Sequence, residues 1–147
     1  MRVHLFNRHT RGFTLVEVMI VVGIIALLAS IAFPAFLRAR ISANEMVAIS
    51  TCRTLSTTLE GFRSAQSPPS YPMDLEELSD AMPDYINSAL TSGSRQGYTF
   101  EYEQLSENQF RIVATPELPN LTGVREFYVD ETGVIRVGTD NSGPPIE

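Results

Sequence analysis

The chain has 147 residues, which suits one domain of modest size. Its formal net charge is −6, and it contains no lysine. Such an acidic chain argues against nucleic-acid binding through general surface charge. The single cysteine, Cys52, excludes an internal disulfide.

The amino-terminal third begins with a short basic leader and continues into an apolar run. Residues 1–12 contain Arg2, Arg8, Arg11 and both histidines, with no acidic residue. The following 21 residues, Phe13 to Phe33, contain one charged side chain, Glu17. As a helix this run is about 31 Å long, enough to cross the hydrocarbon core of a bilayer. It is longer than the roughly 7–15 apolar residues of a secretory signal, and the preceding arginines favour a cytoplasmic amino terminus.

The hexapeptide from Gly12 to Glu17 resembles the prepilin cleavage and methylation motif shared by type IV pilins and type II secretion pseudopilins. The resemblance covers the first third of the chain. It implies that a prepilin peptidase cuts between Gly12 and Phe13 on the cytoplasmic side and then methylates the new amino group of Phe13. It also implies that Glu17 guides assembly into a helical filament. The implied partners are other copies, other pilin-like subunits, the peptidase and an inner-membrane assembly platform.

Physical chemistry is consistent with these roles. Glycine lacks Cβ, so a protease can approach the backbone at Gly12 closely. Cleavage creates a cation at Phe13, which can pair with Glu17 of a neighbouring copy and so remove an unpaired charge from an apolar core. The alternative is that Glu17 is a tolerated carboxylate that reaches the cytoplasmic interface.

One long helix is predicted from about Thr14 to Arg63. Residues 13–36 form its transmembrane or filament-core half, and residues 37–63 form an amphipathic half. In this second half an apolar stripe recurs at spacings of three and four: Ala48, Cys52, Leu55, Leu59 and Phe62. The stripe is predicted to pack on a sheet, which makes Cys52 a buried structural thiol. Pro34 and Gly23 are predicted points of kinking or loosening, and the resemblance implies a curved helix there.

The remainder is predicted to be an outer domain, which gives an α+β, pilin-like fold. Residues 64–97 read as a loop with a short helix over Asp74 to Ala81, capped by Asp74 and Glu77, and with exposed loop over Thr91 to Gly97. Residues 98–138 read as a four-stranded antiparallel meander, because period-two patterns and turn signals alternate there. The strands are predicted around Tyr98–Tyr102, Phe110–Ala114, Glu126–Val129 and Val134–Val137. Residues 139–147 are predicted to be a mobile tail.

No residue pattern supports catalysis, so the chain is not predicted to be an enzyme. Both histidines lie in the leader, and no phosphate loop or zinc pattern is present. Four oxygen-bearing residues near the carboxy terminus form the one candidate metal set: Asp130, Glu131, Asp140 and Asn141. Their spacing does not match an EF-hand loop. Turn chemistry explains them, with calcium as the alternative because some major pseudopilins bind calcium in that region.

The sequence therefore predicts a structural pilin-like subunit in the inner membrane, with its amino terminus in the cytoplasm and its outer domain in the periplasm. The compact outer domain favours a major pseudopilin of type II protein secretion, forming a filament in the periplasm. The alternative is a type IV pilus subunit at the cell surface, used in adhesion, twitching motility or DNA uptake. The alternative from another class is a monomeric, signal-anchored membrane protein whose outer domain binds a ligand or partner.

Overall fold

The computed structural model describes residues 12–80 and 93–146. It divides into two compact units, Met1–Phe36 and Leu37–Glu147. The basic leader, residues 1–11, lies outside the described residues. So do residues 81–92, which fall within the predicted loop region 64–97.

Helix α1 runs over Leu15–Ala65 and has 51 residues, which confirms the single long helix. Every residue from Gly12 to Phe36 is exposed. This part of α1 is long and apolar enough to cross a membrane, and none of it is buried. A helix that is apolar on all sides needs lipid or protein around it. The apolar side chains of residues 12–36 are exposed in this structure, so they require such surroundings.

The second unit has a core between α1 and a sheet. All five members of the predicted apolar stripe are buried there. They share the core with aromatic and aliphatic side chains of the sheet: Tyr98, Phe100, Phe110, Ile112, Phe127 and Val129. The amphipathic half of the helix is therefore confirmed as a packing element.

The sheet is an antiparallel meander of five strands in chain order. These are β1 (Ser94–Arg95), β2 (Tyr98–Ser106), β3 (Gln109–Pro116), β4 (Phe127–Asp130) and β5 (Arg136–Val137). Four strands were predicted, and β1 lies where an exposed loop was expected. A two-residue turn with positive φ at Gln96 (49°) and Gly97 (76°) folds β1 back onto β2. Paired positive φ values are characteristic of tight hairpin turns, usually marked by Asn-Gly rather than Gln-Gly.

The short helix α2 covers Glu76–Asp80, two residues later in its start than predicted. The predicted cap is confirmed, because the backbone N–H of Glu77 donates to Asp74 Oδ1 at 3.0 Å. The carboxylate of Glu77 accepts the N–H of Met73 at 3.2 Å.

The carboxy-terminal segment differs from the predicted mobile tail. The N–H of Ile146 donates to the carbonyl of Ile135 at 2.8 Å, and the N–H of Val137 donates to Pro144 at 3.0 Å. Ile146 also packs against the core. The segment is therefore held beside β5 by backbone hydrogen bonds and by packing of the Ile146 side chain against the core.

Candidate functional site at the start of helix α1

The motif residues Thr14 and Glu17 form the cap of α1. The backbone N–H of Glu17 donates to Thr14 Oγ1 at 3.2 Å, and the Thr14 hydroxyl lies 3.5 Å from Glu17 Oε2. The carbonyl of Thr14 accepts the N–H of Val18 at 3.3 Å. Thr14 is therefore the N-cap and Glu17 the third helical residue, the spacing of a capping box. Sequence reasoning missed this role, although the Thr-x-x-Glu spacing signals it.

Glu17 is a carboxylate with little to neutralise it. It forms no ion pair within residues 12–80 and 93–146, and its one hydrogen-bond partner there is Thr14. The partial positive charge at the helix amino terminus favours a carboxylate at this place. Its neighbours in the first turns are exposed apolar side chains, including Leu15, Val16 and Val18. This arrangement leaves the charge available to a cation from another chain.

The predicted cleavage position is open. A Cβ built on Gly12 meets no atom within 4 Å, and the Phe13 side chain is 80% exposed. Contacts among the described residues therefore do not require glycine at position 12.

Gly23 and Pro34 both lie inside α1. A Cβ on Gly23 also meets no atom within 4 Å, so packing among the described residues does not demand glycine there. Proline has no N–H, so the carbonyl of Ser30 loses its usual helical donor at Pro34. A softening of the helix at these two positions stays a prediction.

The carboxylates of the calcium alternative act in turns. Asp130 Oδ1 accepts the N–H of Thr132 at 3.0 Å, and Asp140 Oδ1 accepts the N–H of Ser142 at 2.9 Å. Bonds from the side chain and backbone of Ser142 lower the pKa of Asp140. Across the described parts of the chain, three or more acidic, histidine or cysteine side chains do not cluster as a metal site would require. Turn chemistry accounts for Asp130 and Asp140, Glu131 Oε1 accepts a bond from Gln109 Nε2 at 3.3 Å, and calcium binding stays an untested alternative.

A second glutamate on α1, Glu45, forms a contact that the sequence did not reveal. Glu45 is 6% exposed. Its Oε2 accepts two bonds from the Arg125 guanidinium, at 2.9 and 2.6 Å, and its Oε1 accepts the N–H groups of Val124 and Arg125 at 3.1 and 3.2 Å. Burial would raise the pKa of Glu45, but the Arg125 side chain and these two amides outweigh it and lower the pKa. Beside it, Asn44 Nδ2 donates to the carbonyl of Thr122 at 2.8 Å.

Asn44 and Glu45 thus fasten α1 to the loop between β3 and β4. The sequence gives little indication of this contact, because an Asn-Glu pair in a helix is usually solvent-exposed.

Cys52 is confirmed as a structural thiol. It is fully buried, and burial raises its pKa to about 12. A thiol with so high a pKa is a poor nucleophile.

Comparison with known proteins agrees with the motif. Residues 7–33 match the family model described as a prokaryotic N-terminal methylation motif. The chain is 36% identical over 101 residues to the type IV major pilin protein PilA of Myxococcus xanthus (strain DK1622). That match covers 67% of this chain and 40% of the relative, so the chain spans about two fifths of the relative's length. No solved structure matches the chain significantly.

Proposed function

Because the chain belongs to the type IV pilin family, we propose that it is a structural subunit of a helical filament. It is first anchored in the inner membrane by the apolar half of α1, with the second unit in the periplasm. A prepilin peptidase removes residues 1–12 and methylates Phe13. An inner-membrane assembly platform then adds the subunit to a filament of like chains.

One observation carries this proposal: a methylation motif leads directly into a helix whose apolar side chains are all exposed. From Gly12 to Phe36 these side chains stay exposed, and no part of the chain that the structure describes packs over them. Lipid satisfies them before assembly, and the helices of neighbouring subunits satisfy them afterwards. The apolar side chains of residues 12–36 can therefore move from lipid to the helices of neighbouring subunits without being exposed to water.

Glu17 and the amino group of Phe13 supply the register of assembly. Transfer of a lone carboxylate into an apolar core is costly unless a cation accompanies it. The amino group of Phe13 exists only after the bond to Gly12 is cut, so an unprocessed subunit lacks the cation. Cleavage is therefore the step that permits pairing between one copy's Glu17 and another's Phe13.

Two kinds of filament fit this subunit. The resemblance to a type IV major pilin favours a surface fibre of the type IV pilus kind. A pseudopilus of type II protein secretion is the second candidate, favoured by the compact five-stranded outer unit and by a single cysteine where many adhesive pilins carry a paired-cysteine loop. Deletion of the gene distinguishes them: loss of surface fibres supports the pilus, and loss of secreted proteins with fibres intact supports the pseudopilus.

Mass spectrometry of the protein extracted from membranes tests the proposal. The expected mass is that of the chain from Phe13 onward plus one methyl group. A chain that keeps residues 1–12 would contradict the filament assignment and would support a monomeric, signal-anchored protein instead.

The substitution Gly12→Leu sharpens this test. We expect it to abolish processing, because a side chain prevents close approach of the protease to the backbone. Gly23→Ala is the matched control, since both glycines have open space around them. Normal processing of Gly12→Leu would contradict cleavage at this bond.

A further inference from the structure

A cavity of about 300 Å³ lies within the second unit. Its lining comes from three segments: Arg40 and Asn44 of α1, Gln96 and Gly97 of the β1–β2 turn, and Thr122 of the β3–β4 loop. We refer to it as the Arg40 pocket.

The wall of the Arg40 pocket is fixed by close packing. Gly97 has φ of +76°, and a Cβ there would lie 2.7 Å from Thr122 Cβ. The side-chain amide of Asn44 donates to the backbone carbonyl of the same Thr122. The β1–β2 turn, the β3–β4 loop and α1 are therefore held together around this space by specific contacts.

The polar groups of the pocket suit an anion. Arg40 is exposed and has no hydrogen-bond or ion-pair partner within the described residues. None of the five lining residues is acidic, whereas the chain as a whole carries 17 acidic residues against 11 arginines. Gln96, exposed on the β1–β2 turn, adds a side-chain amide, whereas the amide of Asn44 already donates to the Thr122 carbonyl. An unpaired guanidinium with an amide beside it is well suited to a phosphate oxygen.

The position of Arg40 in the chain indicates which phosphate is within reach. Arg40 follows Phe36, where the exposed apolar segment ends, by four residues, which can span at most about 14 Å in any conformation. The headgroup layer of a bilayer is roughly 5–8 Å thick on each side of its core. A long arginine side chain can reach toward that layer while its stem stays on the protein. Exposed Leu121, next to Thr122, adds an apolar contact of the kind found at membrane interfaces.

We propose that the Arg40 pocket binds the phosphate group of an anionic phospholipid while the subunit resides in the membrane. This inference rests on membrane insertion of the apolar segment and not on filament assembly. The lipid contact would hold the second unit at the bilayer surface before the subunit joins a filament.

Native mass spectrometry of the full chain in mild detergent tests the proposal. The protein is titrated with phosphatidylglycerol and, in parallel, with phosphatidylcholine, and an apparent Kd is obtained for the first lipid bound. We expect tighter binding of phosphatidylglycerol. Arg40→Gln should weaken it about tenfold, because a charge-assisted bond is lost. Arg40→Lys keeps the charge and should lose less.

Arg53→Gln is the matched control, since Arg53 is an exposed arginine of the same helix that does not line the pocket. It should bind phosphatidylglycerol as the wild type does. An equal loss in Arg53→Gln, or no loss in Arg40→Gln, would overturn the site. Displacement of the lipid by an equal concentration of inorganic phosphate would assign the pocket to soluble phosphate and overturn the lipid assignment. A lipid-free dimer that Arg40→Gln dissociates would identify a carboxylate of a second copy as the ligand, with the same consequence for the lipid.

Discussion

Two glutamates of α1, Glu17 in the first unit and Glu45 in the second, have opposite surroundings. In the second unit Glu45 is buried and receives four hydrogen bonds from Arg125 and Val124. In the first unit Glu17 lies among exposed apolar side chains, and among residues 12–80 and 93–146 its carboxylate has only the Thr14 hydroxyl and the helix end beside it. The carboxylate of Glu45 has a cation partner in its own chain, whereas that of Glu17 has none among the described residues.

This difference separates folding from assembly. A carboxylate whose donors come from the same chain, as at Glu45, stabilises that chain's fold. A carboxylate in an apolar segment without a cation in the described chain needs a partner from elsewhere. We therefore expect substitutions at Glu45 to change stability and substitutions at Glu17 to change association.

The largest effect on stability is expected from Glu45→Ala. It leaves the Arg125 guanidinium and two backbone N–H groups without their acceptor. Because the Arg125 side chain is half-exposed, water can solvate its charge, which limits the loss of stability. We expect the free energy of unfolding to fall by about 2–4 kcal/mol. Chemical denaturation of the full chain in detergent, followed by near-ultraviolet circular dichroism, measures this.

Glu101→Gln provides the control for that experiment. Glu101 is an exposed residue of β2, so its substitution should change stability by less than about 0.5 kcal/mol. Equal losses in Glu45→Ala and Glu101→Gln would contradict the view that Glu45 fastens α1 to the β3–β4 loop.

A smaller effect is expected from acid. The pKa of Glu45 is lowered in the folded state from its ordinary value of 4.5. The unfolded chain then binds more protons between the two pKa values, so stability rises with pH in that window. The contribution of Glu45 is complete above about pH 4.5 and is lost as the pH falls through the folded-state pKa. The stability difference between the wild type and Glu45→Gln should shrink below pH 4.5; a difference independent of pH would contradict the lowered pKa.

The smallest effect is expected from Thr14→Ala, which removes the N-cap of α1. The loss should be about 1 kcal/mol, local to the first turn. Hydrogen exchange at the Glu17 amide should accelerate about fivefold, whereas Thr14→Ser should preserve its protection. Unchanged exchange in Thr14→Ala would show that the cap does not stabilise the first turn.

Periodic features of this fold were predictable from the sequence, and contacts between distant segments were not. The stripe from Ala48 to Phe62 follows from the spacing of apolar residues, and four of the five strands follow from period-two patterns together with turn signals. Strand β1 was missed because it has two residues and a Gln-Gly turn, too short for a period to show. The Glu45–Arg125 contact joins residues 80 positions apart, and no local pattern encodes such a pairing.

At the candidate site, the motif predicted the roles of Gly12, Phe13 and Glu17 through resemblance. The cap formed by Thr14 could have been predicted from its spacing to Glu17, but the cleavage and methylation motif already accounted for both residues. The tail ending at Ile146 was misjudged because its polar composition outweighed one apolar residue that finds a place at the core.

Filament incorporation of Glu17→Gln tests the central claim most directly. Glutamine serves a capping box as glutamate does, so this variant keeps the helix start and removes only the charge. Tagged Glu17→Gln is co-expressed with wild-type protein, and its fraction is measured in membranes and in sheared filaments. The account predicts a chain that is processed after Gly12 and enriched in the membrane but nearly missing from filaments. Incorporation equal to that of tagged wild type would show that the carboxylate acts only as a cap and would contradict pairing with Phe13.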